Sequence, residues 1–291
     1  MSFDADQARW IILLWMTFAG AAVGSFMNVV VYRLPLRLSL SYPPSHCPMC
    51  KHAIRWYHNV PVFGWLGLRG RCYDCGCWIP VRYPLIEAIT GLIFFLLAAF
   101  EFLTDGHNMP FRDVGAMASV AMGLRVEEAF GVCLYHLLLM CTLLCTALIE
   151  FDEQRPPLRL YYPALVIGIL APLVWPVFRP VPALDTMPEN FAWIIDGLAG
   201  AALGAALGGL AWPLLKRRQH QYGMLLGLSG VGLYLGWQAV GALGIASFSL
   251  YAINALLRCL IPKLRVLPAT MWLCPLTLAW ILCWRRIIMD L

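Results

Sequence analysis

Apolar runs of about 20 residues recur along the whole chain, separated by short polar breaks. Each is long enough to cross a bilayer core of about 30 Å as a helix. The pattern predicts eight spans: Trp10–Val31, Pro84–Leu103, Ala129–Ile149, Leu160–Phe178, Ala192–Leu215, Tyr222–Ala242, Ser247–Ile261 and Pro268–Trp284, the seventh being short. The expected fold class is therefore an all-α integral membrane protein of about eight transmembrane helices. The first run is kept as a helix of the mature protein. Asp4 and Asp6 stand where a signal peptide carries basic residues, and the run is longer than a signal peptide's apolar core.

Composition agrees with this picture. Of 291 residues, 61% are hydrophobic and 13% charged, about half the charged share of a soluble domain. The mean hydropathy is +0.72. Between the first two runs lie Arg33, Arg37, Lys51, Arg55, Arg69, Arg71 and Arg82 against Asp74 alone. The positive-inside rule places this loop in the cytoplasm and the N-terminus outside. Lys216, Arg217 and Arg218 follow the fifth span on the cytoplasmic side; Arg285 and Arg286 fall outside, against the rule. The basic loop reads as a topology signal with a secondary attraction to anionic lipid, and nothing points to nucleic-acid binding.

Two domains are expected: residues 1–83, the first span with its cytoplasmic loop, and residues 84–291, a polytopic membrane domain. The loop is rich in Pro, Gly, Arg, Trp and Cys and has no helical period, and no internal repeat stands out. The segment 104–128 reads as an external loop. In the fifth span Gly200, Gly204 and Gly208 recur every four residues, a face on which another helix packs closely.

Four of the eleven cysteines stand apart, as Cys47-Pro-Met-Cys50 and Cys72-Tyr-Asp-Cys75. Two residues between cysteines let both thiolates of one turn face a single ion, and two such turns complete a tetrahedral shell. The pattern points to structural zinc, whose binding supplies folding free energy to a module without a core. A redox pair is the alternative reading of the same residues, and a reducing cytoplasm argues against disulfides. Cys77 lies close by as a competing ligand. Cys133, Cys141, Cys145, Cys259, Cys274 and Cys283 fall in spans and read as small apolar residues.

Several stretches carry a family resemblance: Gly24-Ser25-Phe26-Met27-Asn28, running to Tyr32-Arg33-Leu34-Pro35; Pro44-Ser45-His46-Cys47; Ile54-Arg55-Trp56-Tyr57-His58-Asn59-Val60-Pro61; Gly70-Arg71-Cys72; and Arg82-Tyr83-Pro84-Leu85-Ile86-Glu87. Over residues 20–90 the chain resembles the type IV prepilin peptidases, which also methylate the new pilin N-terminus. The resemblance implies an eight-span inner-membrane protein with a zinc loop. It also implies type IV pilin or type II secretion pseudopilin precursors as substrates and S-adenosylmethionine as methyl donor.

The family's peptidase is a GxGD-type aspartyl protease, in which two carboxylates share one proton. One family aspartate matches Glu150, in Ile149-Glu150-Phe151-Asp152 before Pro157; the extra methylene shifts the carboxylate by about 1 Å, enough to cost about 10²-fold in rate. Asp152 is two residues out of register. The second aspartate, counted back from Gly236-Trp237-Gln238, matches Met224 after Tyr222-Gly223. No Asp or Glu occurs from Gly197 to Met289. The family's Pro-Phe-Gly-Pro appears as Pro268-Ala269-Thr270-Met271. Asp196, inside the fifth span, is the remaining acid for a dyad with Glu150 or Asp152, or a solvated residue near the span's outer end. The expectations are a family enzyme with a degenerate peptidase site, or a pseudopeptidase that holds pilin-like helices, an active paralogue or the assembly platform.

Overall fold

The computed structural model describes residues 5–104, 108–110, 126–175, 178, 189–210, 215 and 218–289. Among them the regular structure is helical, with no strand and two isolated β-bridges. The segments 105–107 and 111–125 of the expected external loop lie outside the described residues, as do Asp4, Lys216 and Arg217.

Each of the eight apolar runs falls on a helix: α1 (Ala5–Arg33), α3 (Arg82–Leu97), α4 (Val126–Phe151), α5 (Tyr162–Val174), α6 (Glu189–Leu210), α7 (Arg218–Leu235), α8 (Trp237–Leu260) and α9 (Ala269–Met289). A short helix, α2 (Phe63–Gly67), lies in the loop between α1 and α3. Four stretches are long and apolar enough to cross a membrane: Arg9–Arg33, Arg82–Phe102, Glu127–Phe151 and Trp237–Leu260. Their exposed faces carry large apolar side chains such as Trp10, Leu14, Trp15, Leu92, Ile245 and Ile253. Water would not solvate such bands, and lipid does. The chain is a membrane protein.

One boundary differs from the sequence pattern. The expected sixth run passes through Gly236, but α7 ends at Leu235 and α8 starts at Trp237. Gly236 has φ +85°, a conformation open to glycine and costly for other residues. The break lengthens the expected short seventh span to 24 residues.

The chain forms two compact units, Met1–Ala99 and Phe100–Leu291, so α3 groups with α1 and the loop rather than with the later helices. The reason lies in close helix contact. A Cβ at Gly24 would come within 2.8 Å of the Glu87 Cα, and one at Gly91 within 3.1 Å of the Thr17 carbonyl oxygen. Asn28 donates to the Tyr83 carbonyl at 3.3 Å.

In the second unit α6 and α7 run antiparallel along the glycine seam. Gly200 abuts the Gly232 carbonyl, Gly204 abuts that of Leu228, and Gly208 abuts the Cα of Leu225. The seam is internal packing, where small residues let backbones meet. Most of α4 is buried, packed against α5, α7 and α9. Tyr135 of α4 stacks on Tyr234 of α7 at 4.2 Å between ring centroids, and the Tyr234 hydroxyl donates to the Ala164 carbonyl at 2.7 Å.

Candidate metal centre and buried carboxylate site

The loop of the first unit is a pair of matched turns. His46 bridges Ala53 as Arg71 bridges Trp78, an offset of 25 residues. At the same offset, the Cys47 and Cys72 N–H groups donate to the carbonyls of His52 and Cys77, and those of Lys51 and Gly76 to the carbonyls of Cys47 and Cys72. Lys51 (φ +62°) and Gly76 (φ +70°) share the left-handed conformation, which costs a side-chain-bearing residue about 1 kcal/mol. The loop therefore contains an internal repeat, Ser45–Ile54 with Gly70–Ile79, that the sequence reading did not find. Outside the cysteines and the final isoleucine the two halves share no residue, so only the backbone shows it.

Each half delivers two thiols to one point. The sulfurs of Cys47, Cys50, Cys72 and Cys75 all lie within 4.8 Å of one another. Cys47 and Cys75 are 3.8 Å apart, close to the separation of two thiolates about 2.3 Å from a shared tetrahedral ion. The Cys47 thiol is lowered to about 6, chiefly by the backbone N–H of Cys50 and also by that of Met49. At Cys50 the N–H of His52 pulls down, but burial and the thiols of Cys47, Cys75 and Cys72 outweigh it and push the group up to about 12. At Cys75 the N–H of Cys77 pulls down, and the Cys77 thiol, burial and Cys72 push it up to about 11. Thiols that raise one another in this way are too close to carry charge together. A cation at their centre removes that repulsion. The donor set fits a metal ion.

Neighbouring contacts hold the turns in place. Arg33 donates to the carbonyls of Ser39 (3.0 Å) and Pro43 (2.7 Å). Arg55 pairs with Asp74 at 3.0 and 3.4 Å and lies over the Tyr73 ring, and the Asp74 hydrogen bond raises the guanidinium above its usual value. Trp65 donates to the Ile79 carbonyl at 3.0 Å. Glu87 of α3 accepts from the Val62 N–H at 2.6 Å, tying α2 to the helix pair.

The second site lies where α4 ends and α7 and α9 begin. Glu150 is buried, and its Oε2 accepts a hydrogen bond from the Thr270 hydroxyl. Its Oε1 faces the backbone of Gly223, where an added Cβ would lie 1.9 Å away. Met224 is fully buried beside it in sequence. The three stretches matched to the family's catalytic motifs thus converge here. Arg265 donates to the Phe151 carbonyl at 2.6 Å, and Arg155 lies over the Tyr222 ring, closing this end. Asp152 is half-exposed in the turn after α4.

Asp196 does not join this site. It is buried rather than solvated, with Oδ2 against Gly236 at the α7–α8 break. Gly223 and Gly236 are 13 residues apart along α7, about 20 Å at 1.5 Å per residue. A dyad of Asp196 with Glu150 is therefore out of reach. Asp196 lies instead against the backbone at the start of α8.

Sequence reasoning missed one buried pair, Glu101 with His136, hydrogen-bonded through Oε1 and Nδ1 and wholly enclosed. The available signal was an ionisable residue inside each of two apolar runs.

A family model, the bacterial peptidase A24 N-terminal domain, matches residues 18–101. A prepilin leader peptidase/N-methyltransferase of Klebsiella pneumoniae is 31% identical over 240 residues, covering 78% of this chain and 88% of the relative. A type 4 prepilin-like proteins leader peptide-processing enzyme of Escherichia coli O78:H11 is 41% identical over 216 residues, covering 68% and 77%. A Myxococcus xanthus prepilin leader peptidase/N-methyltransferase is 31% identical over 82% of this chain, which spans 60% of that relative's length. No solved structure gives a significant match.

Proposed function

Because this chain belongs to the prepilin leader peptidase/N-methyltransferase family, we propose that it handles type IV pilin or type II secretion pseudopilin precursors in the bacterial inner membrane, with a peptidase centre that has lost its chemistry. The observation that carries this reading is the surrounding of Glu150: Thr270 on one oxygen and Gly223 on the other, with Met224 at the position matched to the second acid. Aspartyl proteolysis needs one carboxylate to take a proton from water while its partner, protonated, polarises the scissile carbonyl. A thioether does neither. Glu150 alone can hold a proton or accept a hydrogen bond.

The activity retained in this reading is N-methylation. S-adenosylmethionine would supply the methyl group: the free amine of the cleaved pilin would displace it from the sulfonium sulfur, leaving S-adenosylhomocysteine and giving up one proton. The N-terminal half keeps the family's stretches, and Cys47, Cys50, Cys72 and Cys75 would hold a structural zinc whose closed shell leaves no position for substrate. The proposed topology has eight spans, the N-terminus outside and the zinc loop in the cytoplasm. A second reading, a pseudopeptidase that holds pilin-like helices, an active paralogue or the assembly platform, is favoured by the same engagement of Glu150 with Thr270 instead of a second acid.

The test incubates detergent-purified protein and S-adenosylmethionine with a full-length prepilin, and in parallel with a pre-cleaved pilin. The product N-terminus is read by intact mass. A mass increase of one methyl group on the pre-cleaved pilin alone supports the proposal. Leader cleavage overturns the loss of peptidase chemistry and points to Asp152 as partner to Glu150. No change in either substrate, with zinc bound, favours the second reading.

A further inference from the structure

The loop holds a fifth thiol beside the four that meet at one point, and a tetrahedral ion takes four. The Cys77 sulfur is 3.5 Å from that of Cys47, nearer than the 3.8 Å between Cys47 and Cys75. Thiolates sharing one tetrahedral zinc lie about 3.8 Å apart, so the Cys77 sulfur stands within that spacing of the Cys47 sulfur it would replace. Its backbone is fixed by the bond from the Cys72 N–H to its carbonyl at 2.8 Å, so its position belongs to the turn. At the equivalent place in the first half, 25 residues earlier, stands the exposed His52. The extra thiol therefore sits on one half only.

Resting on the zinc reading above, we infer that Cys77 is a fifth ligand position of the metal centre, able to replace Cys47 on the ion. The exchange balances without any redox partner. The Cys77 thiol loses its proton to the departing Cys47 thiolate, one zinc–sulfur bond forms, and one breaks. Cys50, Cys72 and Cys75 stay bound throughout. The ion is then held by three fixed thiolates and one of two alternates.

The test uses the full chain in detergent, purified with zinc and also loaded with cobalt, whose absorption reports the number of thiolate ligands. Cys47→Ser is expected to keep one metal per chain with a four-thiolate spectrum, and Cys47→Ser with Cys77→Ser to lose it. Cys50→Ser is expected to lose it with Cys77 present. Equal loss in Cys47→Ser and in the double variant overturns the inference. A second measurement needs no change at the four principal ligands. The zinc-loaded protein is alkylated briefly with iodoacetamide and mapped by peptide mass. The released thiol alternates, so Cys47 is expected to label at least about threefold more than Cys50 or Cys72, an excess that Cys77→Ser removes. Label confined to Cys77, with Cys47 as protected as Cys50, overturns it. Absence of zinc from the parent protein overturns the zinc reading itself, a result distinct from both.

Discussion

The Glu150 Oε1 lies so close to Gly223 that a methyl group on the glycine would come within 1.9 Å of it. The residue matched to the family's first aspartate therefore lies against the residue preceding the match to the second.

This contact is testable by coupling. Gly223→Ala is expected to destabilise the protein by about 1–3 kcal/mol through overpacking. Glu150→Ala in the same chain should recover part of that loss, because the clashing oxygens are gone. A double-mutant cycle on thermal unfolding in detergent measures it, and simple additivity would show that the two residues are not in contact.

Restoring both carboxylates tests the alignment. Met224→Asp with Glu150→Asp is expected to give leader cleavage of a prepilin above the parent's level, read by intact mass. Glu150→Asp alone should give none, since one acid has no partner, and Met224→Asp alone should give about 10²-fold less than the pair, because the Glu150 carboxylate stands about 1 Å out of place. A double variant that folds and stays inactive would show that position 224 does not face position 150 at reacting distance.

The α6–α7 seam makes a graded prediction. Gly232→Ala places a Cβ 2.1 Å from the Gly200 carbonyl oxygen, backbone that cannot move aside. Gly209→Ala meets nothing within 4 Å. The first is expected to cost about 1–3 kcal/mol or prevent folding. The second is expected to be neutral or slightly stabilising by helix propensity. Melting temperatures in one detergent distinguish them.

Metal removal should act on the loop and spare the membrane helices. Replacing Cys47 and Cys72 together leaves three thiols and is expected to abolish zinc, read by elemental analysis. Trypsin should then cut at Lys51, Arg55, Arg69 or Arg71 much faster than in the parent, while helical circular dichroism stays near its original value.

Much of this was legible because lipid leaves the backbone few options. A run of apolar residues must satisfy its own hydrogen bonds and so becomes a helix; each expected run contains one, and four stretches are long and apolar enough to cross a membrane. The break at Gly236 was harder to see, because hydropathy does not register φ. The four thiols were legible from spacing alone, but the 25-residue repeat around them is carried by N–H and carbonyl directions and leaves little trace in side chains. Glu150 and Met224 were found through motif counting. That Thr270 is the partner of Glu150 was not legible, since 120 residues separate them and only the packing of α9 on α4 brings them together. Asp196 looked available because a span position gives no depth; its contact with Gly236 sets it at the far end of α7.

The backbone contacts between α6 and α7 also act as a ruler. Backbone atoms wedged against glycines at three successive levels leave no freedom to slide, so the seam fixes where along α6 residue 224 comes to rest. A single residue inserted into α7 between Met224 and Leu225 would rotate Gly223 by about 100° away from Glu150 while the seam beyond it held. The meeting of Gly223 with Glu150 is thus maintained by glycines that take no part in it.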